Sequence, residues 1–176
     1  MQSPAQEIKS KIKNMIRKIL IALLVILVLL QFYRPARNLS GEKSKDISVL
    51  YPVPDTVNAI LERACNDCHS NKTIYPWYAE VQPVGWWLKN HVNDGKRHLN
   101  FNEFATYRLA RQKKKMEEVI EQIKKDEMPL PSYTWIHKDA ILSDGEKVTI
   151  NTWAQSIIDT LKARYPADSL VLPKRQ

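Results

Sequence analysis

The chain has 176 residues, 44% of them hydrophobic and 26% charged, with 10 Pro, 4 Gly and 2 Cys. This length suits one domain with an appendage, and the composition excludes collagen-like, low-complexity and disulfide-dense chains. The formal net charge is +8, yet residues 1–37 hold seven basic groups against one acid, leaving 20 basic and 18 acidic groups, or +2, for residues 38–176. The basicity therefore belongs to the N-terminus and not to a folded face, so nucleic acid is not expected as a partner.

Residues 1–15 read as a basic cytoplasmic segment, with Ile8, Ile12 and Met15 recurring at a helical spacing that continues through Ile16 and Ile19. It is either an amphipathic helix on anionic lipid or a helical extension of the apolar run beside it. Residues 16–33 read as a transmembrane signal anchor. Ile19 to Leu30 is twelve apolar residues without a break, and Ile16, Phe32 and Tyr33 extend it to 18. That is near the lower limit for a span, with Arg17 and Lys18 snorkelling to the headgroups. A cleaved secretory signal is the alternative, but Gln31 to Pro35 hold no small-residue cleavage pattern. Five basic residues precede the apolar run and two come after it, which predicts a cytoplasmic N-terminus. The later residues then face the periplasm from a single-pass anchor in a bacterial inner membrane.

Residues 34–54 are polar and then proline-punctuated, and read as a linker. Over 55–165 no stretch alternates as a strand while several repeat at helical spacing, so the fold class is expected to be mainly α. Asp55 can cap a helix carrying Val57, Ile60, Leu61 and Ala64 on one face. A second helix comes after Pro83, with Val84, Trp87, Leu88, His91 and Val92 at the same spacing, and should end near Gly95. A third covers about Phe101 to Tyr107, and a fourth about Gln112 to Glu127. The fourth has an apolar stripe of Met116, Val119, Ile120 and Ile123 and a charged face with i,i+4 pairs of opposite sign. Met128-Pro129-Leu130-Pro131 stops it. Ser143 and Glu146 form a capping box for a last helix, whose Ile150, Trp153, Ala154, Ile157, Ile158 and Leu161 make a buried face. Residues 166–176 read as a loosely held tail.

Both cysteines fall within five residues, Cys65-Asn66-Asp67-Cys68-His69. This is C-x-x-C-H, the attachment pattern for c-type haem. Two thiols at i and i+3 reach two vinyl groups, and the adjacent His69 offers an imidazole nitrogen to the iron. A disulfide or a thioredoxin-like dithiol shares the C-x-x-C spacing, although no βαβ pattern surrounds it. A structural zinc site would want two further ligands at finger-like spacing, and no third cysteine exists. For the sixth iron position the candidates are Met128, His91, His98 and His137, or water, or nothing. Met128 opens a proline-flanked loop that could hold a thioether against iron and raise its potential. Tyr75, Trp77, Tyr78, Trp86 and Trp87 cluster after the motif. Their rings could line a haem pocket, with Lys96 or Arg97 on its propionates, although ordinary packing explains any one of them as well.

The run CNDCHSNKTIYPWYAEVQPVGWWLKNHVNDGKRHLNF, then EMPLPSYTWIHKDAILSDGEKVTINTWA, closely resembles the bacterial haem-binding domain family defined around one C-x-x-C-H motif. The similarity covers roughly residues 50–160. Met128-Pro129, with Leu142 to Glu146 and a Trp-containing helix, also resembles the methionine loop and last helix of class I cytochromes c. The resemblance implies a small cytochrome c-like helical domain around one covalent haem c. Cys65 and Cys68 would be the thioether sites, His69 the proximal ligand and Met128 the distal one. Segment 70–112 departs from a minimal cytochrome c in being richer in Trp, Tyr and His.

Three functions compete. The first is a membrane-anchored monohaem protein passing single electrons to an unidentified redox partner. The second is a haem-based sensor or peroxidase-like enzyme with an open or displaceable sixth position, for which His91 or His98 would serve as distal acid/base. The third is a haem-free dithiol protein. No Ser-His-Asp arrangement, phosphate loop or paired carboxylates are discernible.

Overall fold

The computed structural model describes residues 4–172. Residues 1–3 and 173–176, the outer ends of the expected basic segment and of the tail, lie outside the described residues. The helices are α1 (Pro4–Leu30), α2 (Asp55–Ala64), α3 (Asn66–His69), α4 (Val84–His98), α5 (Leu109–Lys124), α6 (Pro131–Thr134) and α7 (Asp144–Arg164), with short 3-10 turns between them and no strand among the described residues. The mainly α expectation holds. Two compact units are formed, one from the residues up to Ala36 with Tyr75–Asn90, the other from Arg37–Ile74 with His91 onwards.

In the first unit α1 is one continuous helix of 27 residues, so the basic segment and the apolar run are not separate elements. Its apolar side chains from Ile8 to Leu29 are exposed. The expected transmembrane span over 16–33 is not supported. The helix ends at Leu30, and no helix among the described residues is long and apolar enough to cross a membrane. Three basic residues, Lys13, Arg17 and Lys18, interrupt the 18 residues that end there. Within this unit Gln31 pairs with the Gln82 backbone in both directions, at 3.0 and 2.9 Å. Arg34 reaches the Glu80 carboxylate at 3.0 Å.

The second unit holds the core. α5 and α7 pack along each other and α2 packs on α7. Each burial has a sequence cause: Val57, Ile60, Leu61 and Ala64 form the buried stripe of α2. The predicted six positions form that of α7. Phe104, Met116 and Leu161 are fully enclosed, and each such side chain contributes about 1.5–3 kcal/mol by leaving water. The charged face of α5 carries the expected pairs, among them Lys113 with Glu117 at 2.8 Å and Lys125 with Glu121 at 2.7 Å. The capping box is present, Ser143 accepting from the Glu146 N–H and Glu146 from the Ser143 N–H.

Several expectations need correcting. Asp55 is the first residue of α2 and makes no side-chain cap; Pro54 stands at the cap position. α4 runs on past Gly95 to His98, because that glycine serves a close helix approach and not a helix end. α5 begins at Leu109 and ends at Lys124, where Asp126 turns the chain at a φ of 56°. The linker contributes Ile47 and Tyr51 to the core, and the tail contributes Leu170 from the 3-10 turn Ala167–Leu170. Isolated apolar residues in polar stretches carry no period, so their burial is set by distant partners and not by local pattern.

Candidate functional site

α2 delivers the chain to Cys65, which ends that helix and precedes α3. One turn then sets the motif's geometry: the Cys65 carbonyl accepts from the N–H groups of Cys68 and His69 at 3.1 and 3.0 Å. Cys65 and Cys68 are thereby presented on one short turn, and both are free. Burial pushes the Cys65 thiol up to about 12 and the Cys68 thiol up to about 11. Both remain protonated at neutral pH. A nucleophilic dithiol requires the opposite shift, which weighs against the thioredoxin-like alternative.

His69 is oriented from behind. Its Nδ1 lies 2.9 Å from the Leu99 carbonyl oxygen, and an oxygen that can only accept fixes the proton on Nδ1. Nε2 is left with its lone pair. Burial lowers the imidazole's proton affinity, so the ring is neutral, and Phe101 meets it edge-on at 6.4 Å. A carbonyl acceptor on the far nitrogen is the usual support of a metal-binding histidine. α4 closes against this turn through Gly95, where a Cβ would come within 2.6 Å of the Cys68 carbonyl oxygen.

Asp67, between the two cysteines, is fully engaged. Its Oδ1 accepts from the Ile74 N–H and its Oδ2 from the Tyr133 hydroxyl, both at 2.8 Å. Tyr133 sits on α6, directly beyond Met128-Pro129-Leu130, so the loop after α5 is tethered to the cysteine turn. Met128 itself is half-buried in that connection, its N–H reaching the Gln122 carbonyl at 3.4 Å.

The other candidates are more scattered. His91 is half-buried on α4 and His98 exposed at its end. His137 stacks on the Tyr133 ring at 4.3 Å. Arg97 is exposed and paired with Asp94 at 2.7 Å, and Lys96 donates to Asn38 at 2.6 Å. Tyr75, Trp77, Trp86 and Trp87 belong to the first unit. There Trp77 meets Tyr78 edge-on at 5.9 Å, Trp86 donates to the Tyr33 carbonyl at 3.0 Å, and Trp87 is exposed.

Sequence reasoning missed Leu99, Asn71, Asn100, Asn102, Tyr107, Gly95 and Tyr133. The only signal was indirect: three asparagines in polar-looking segments that the fold buries. Among the described residues no group of three or more His, Cys, Asp or Glu is placed to hold a metal ion. A haem needs no such group, because its macrocycle supplies four ligands and the protein one or two. The donor set here fits it: one imidazole whose proton sits on Nδ1, leaving the Nε2 lone pair as donor, and two protonated thiols on the same turn.

Helical fold and site together define a haem-binding protein. The chain belongs to the haem-binding domain family, whose family model matches residues 25–156. Searches of curated proteins and of solved structures found no match.

Proposed function

We propose that this chain holds one haem c through thioethers to Cys65 and Cys68, with His69 as proximal and Met128 as distal ligand, and carries single electrons. The observation that carries the reading is the His69 imidazole, its Nδ1 held by the Leu99 carbonyl at 2.9 Å, on the same turn as two free thiols. Each thioether forms by adding one thiol S–H across one vinyl group, so no oxidant is consumed. The bound haem supplies a one-electron iron couple. The protein's own residues do the rest: Asp67 and Tyr133 tie the Met128 loop to the cysteine turn, and methionine ligation favours reduced iron.

Membrane attachment through α1 belongs to the same proposal. Its twelve unbroken apolar residues extend about 18 Å at 1.5 Å per residue, short of the roughly 30 Å hydrocarbon core. Arg17 and Lys18 at the headgroups lengthen the reach. The charge bias before the apolar run supports a haem domain on the exported side, in a bacterium the periplasm.

The test is haem staining on a denaturing gel, using the full chain co-expressed with a haem-maturation system. The parent should stain and the Cys65→Ala, Cys68→Ala double variant should not. Equal staining of both overturns covalent attachment. Membrane fractions washed with alkaline carbonate test α1: retention of the chain supports anchoring, and complete release contradicts it.

A further inference from the structure

The peptide joining Leu99 to Asn100 is held at both of its polar ends. Its carbonyl accepts from His69 Nδ1 at 2.9 Å, and its N–H donates to the Tyr107 hydroxyl oxygen, also at 2.9 Å. Leu99 and Asn100 are 8% and 5% exposed, so neither bond is replaced by water at no cost.

The surroundings fix that peptide from the other side. Asn100 donates through Nδ2 to Asn71 Oδ1 at 2.8 Å and accepts on Oδ1 from the Asn102 N–H at 3.0 Å. Asn102 in turn accepts from the Asn71 N–H at 2.7 Å and donates to the Asp46 carboxylate at 2.6 Å. Asn71 donates to Glu103 at 2.9 Å and to the Glu42 carbonyl at 3.0 Å. Three buried amides thus lock the residues after α3 to those after α4. The Tyr107 ring is clamped independently, by the Arg111 guanidinium 4.0 Å from its centroid and by Phe104 at 5.5 Å.

We propose that Tyr107 is a positioning residue for His69, acting through the Leu99–Asn100 peptide. Accepting from the peptide's N–H polarises its C=O, and hydrogen bonds in series strengthen one another. A stronger acceptor holds the His69 proton on Nδ1 and makes Nε2 a better electron donor. Its effect on iron rests on the proposed ligand role of His69, whereas the hydrogen bond itself belongs to the chain with or without haem.

Tyr107→Phe removes one oxygen and leaves the clamped ring in place. Tyr51→Phe is the control. It removes the hydroxyl that donates to Gln112 at 2.7 Å; Gln112 in turn donates to the Tyr107 backbone carbonyl at 2.8 Å, so this variant loosens the Tyr107 backbone while leaving the Tyr107 hydroxyl on the Leu99–Asn100 peptide. Both variants of the full chain are prepared without and with haem, and nitrogen NMR of the imidazole reads the His69 tautomer and the exchange of its Nδ1 proton. In Tyr107→Phe that proton exchanges roughly tenfold faster, as loss of one supporting hydrogen bond requires, and the haem midpoint potential rises. In Tyr51→Phe stability falls and the imidazole signals stay put. Unchanged exchange in Tyr107→Phe, or equal responses in both variants, overturns the proposal. A parent chain that never retains haem overturns the ligand role instead, and the haem-free readout still decides whether Tyr107 positions His69.

Discussion

Tyr133 and Asp67 are 66 residues apart in sequence, and the hydroxyl of one donates to the carboxylate of the other at 2.8 Å. Burial and the negative charge of Asp67 raise the phenol's proton affinity well above the ordinary tyrosine range, so Tyr133 is a constant donor. This single bond ties the connection that holds Met128 to the turn that holds both cysteines. In Tyr133→Phe the tie is lost. A hydrogen bond to a charged group is worth about 1.5–3 kcal/mol, so the unfolding free energy should fall by that order. The methionine-to-iron charge-transfer band of the haem-loaded chain should weaken with it. Denaturant unfolding and optical spectra check both, and an unchanged band at reduced stability separates simple destabilisation from loosening of the Met128 loop.

Gly95→Ala reverses the usual sign of a helical Gly→Ala change. In an open helix the substitution stabilises by roughly 0.5–1 kcal/mol. Here the new methyl would lie 2.6 Å from the Cys68 carbonyl oxygen and 2.9 Å from its Cβ, so α4 must shift. Overpacking of this kind costs about 1–3 kcal/mol. Thermal unfolding of the variant should show a lower midpoint than the parent; a higher one contradicts the close approach of α4 to the cysteine turn.

Glu146 gives the fold a defined acid sensitivity. The Arg63 guanidinium, and then the Ser143 N–H and hydroxyl, hold its carboxyl down at about 2. Its pKa is thus depressed in the folded chain relative to the ordinary value of 4.5. The stabilisation is complete above that ordinary value and is lost as pH falls toward 2. Because the pair is partly exposed, with side chains 37% and 26% accessible, its worth is near the capping value of about 1 kcal/mol. Glu146→Gln should therefore be less stable than the parent at pH 7, and the gap should close between pH 4.5 and 2. A gap that persists at pH 2 sinks this assignment.

Alanine at Cys65 alone should leave haem attached through Cys68, and alanine at Cys68 alone the converse, each by one thioether. The reduced absorption band then shifts toward that of a haem with one free vinyl group. The pyridine haemochrome spectrum of each single variant reads this directly, and spectra identical to the parent contradict two thioethers.

The sequence made the cysteine turn and the last helix legible for different reasons. C-x-x-C-H is a local arrangement, complete within one turn, and the helix over Asp144–Arg164 combines a cap with a period of 3.6. The support of His69 was illegible because it depends on a backbone carbonyl, Leu99, which any residue type could supply. Asn71, Asn100 and Asn102 likewise look like loop residues until the fold buries them. Gly95 read as a helix end because a glycine's two uses, ending a helix and admitting a neighbour, look the same in one dimension. At the N-terminus the hydropathy was real, but Lys13, Arg17 and Lys18 lie within the helix, and the expected span counted Phe32 and Tyr33, which lie beyond its end.

The most direct test of the account is the optical spectrum of the haem-loaded full chain, oxidised and reduced, with and without carbon monoxide, beside Met128→Ala. His69 and Met128 ligation predicts a six-coordinate low-spin spectrum in both states, a sulfur-to-iron band in the oxidised form, and no response to carbon monoxide. Met128→Ala should lose that band and bind the gas. A high-spin parent that takes up carbon monoxide, with Met128→Ala no different from it, would contradict the account and give the iron an open sixth position.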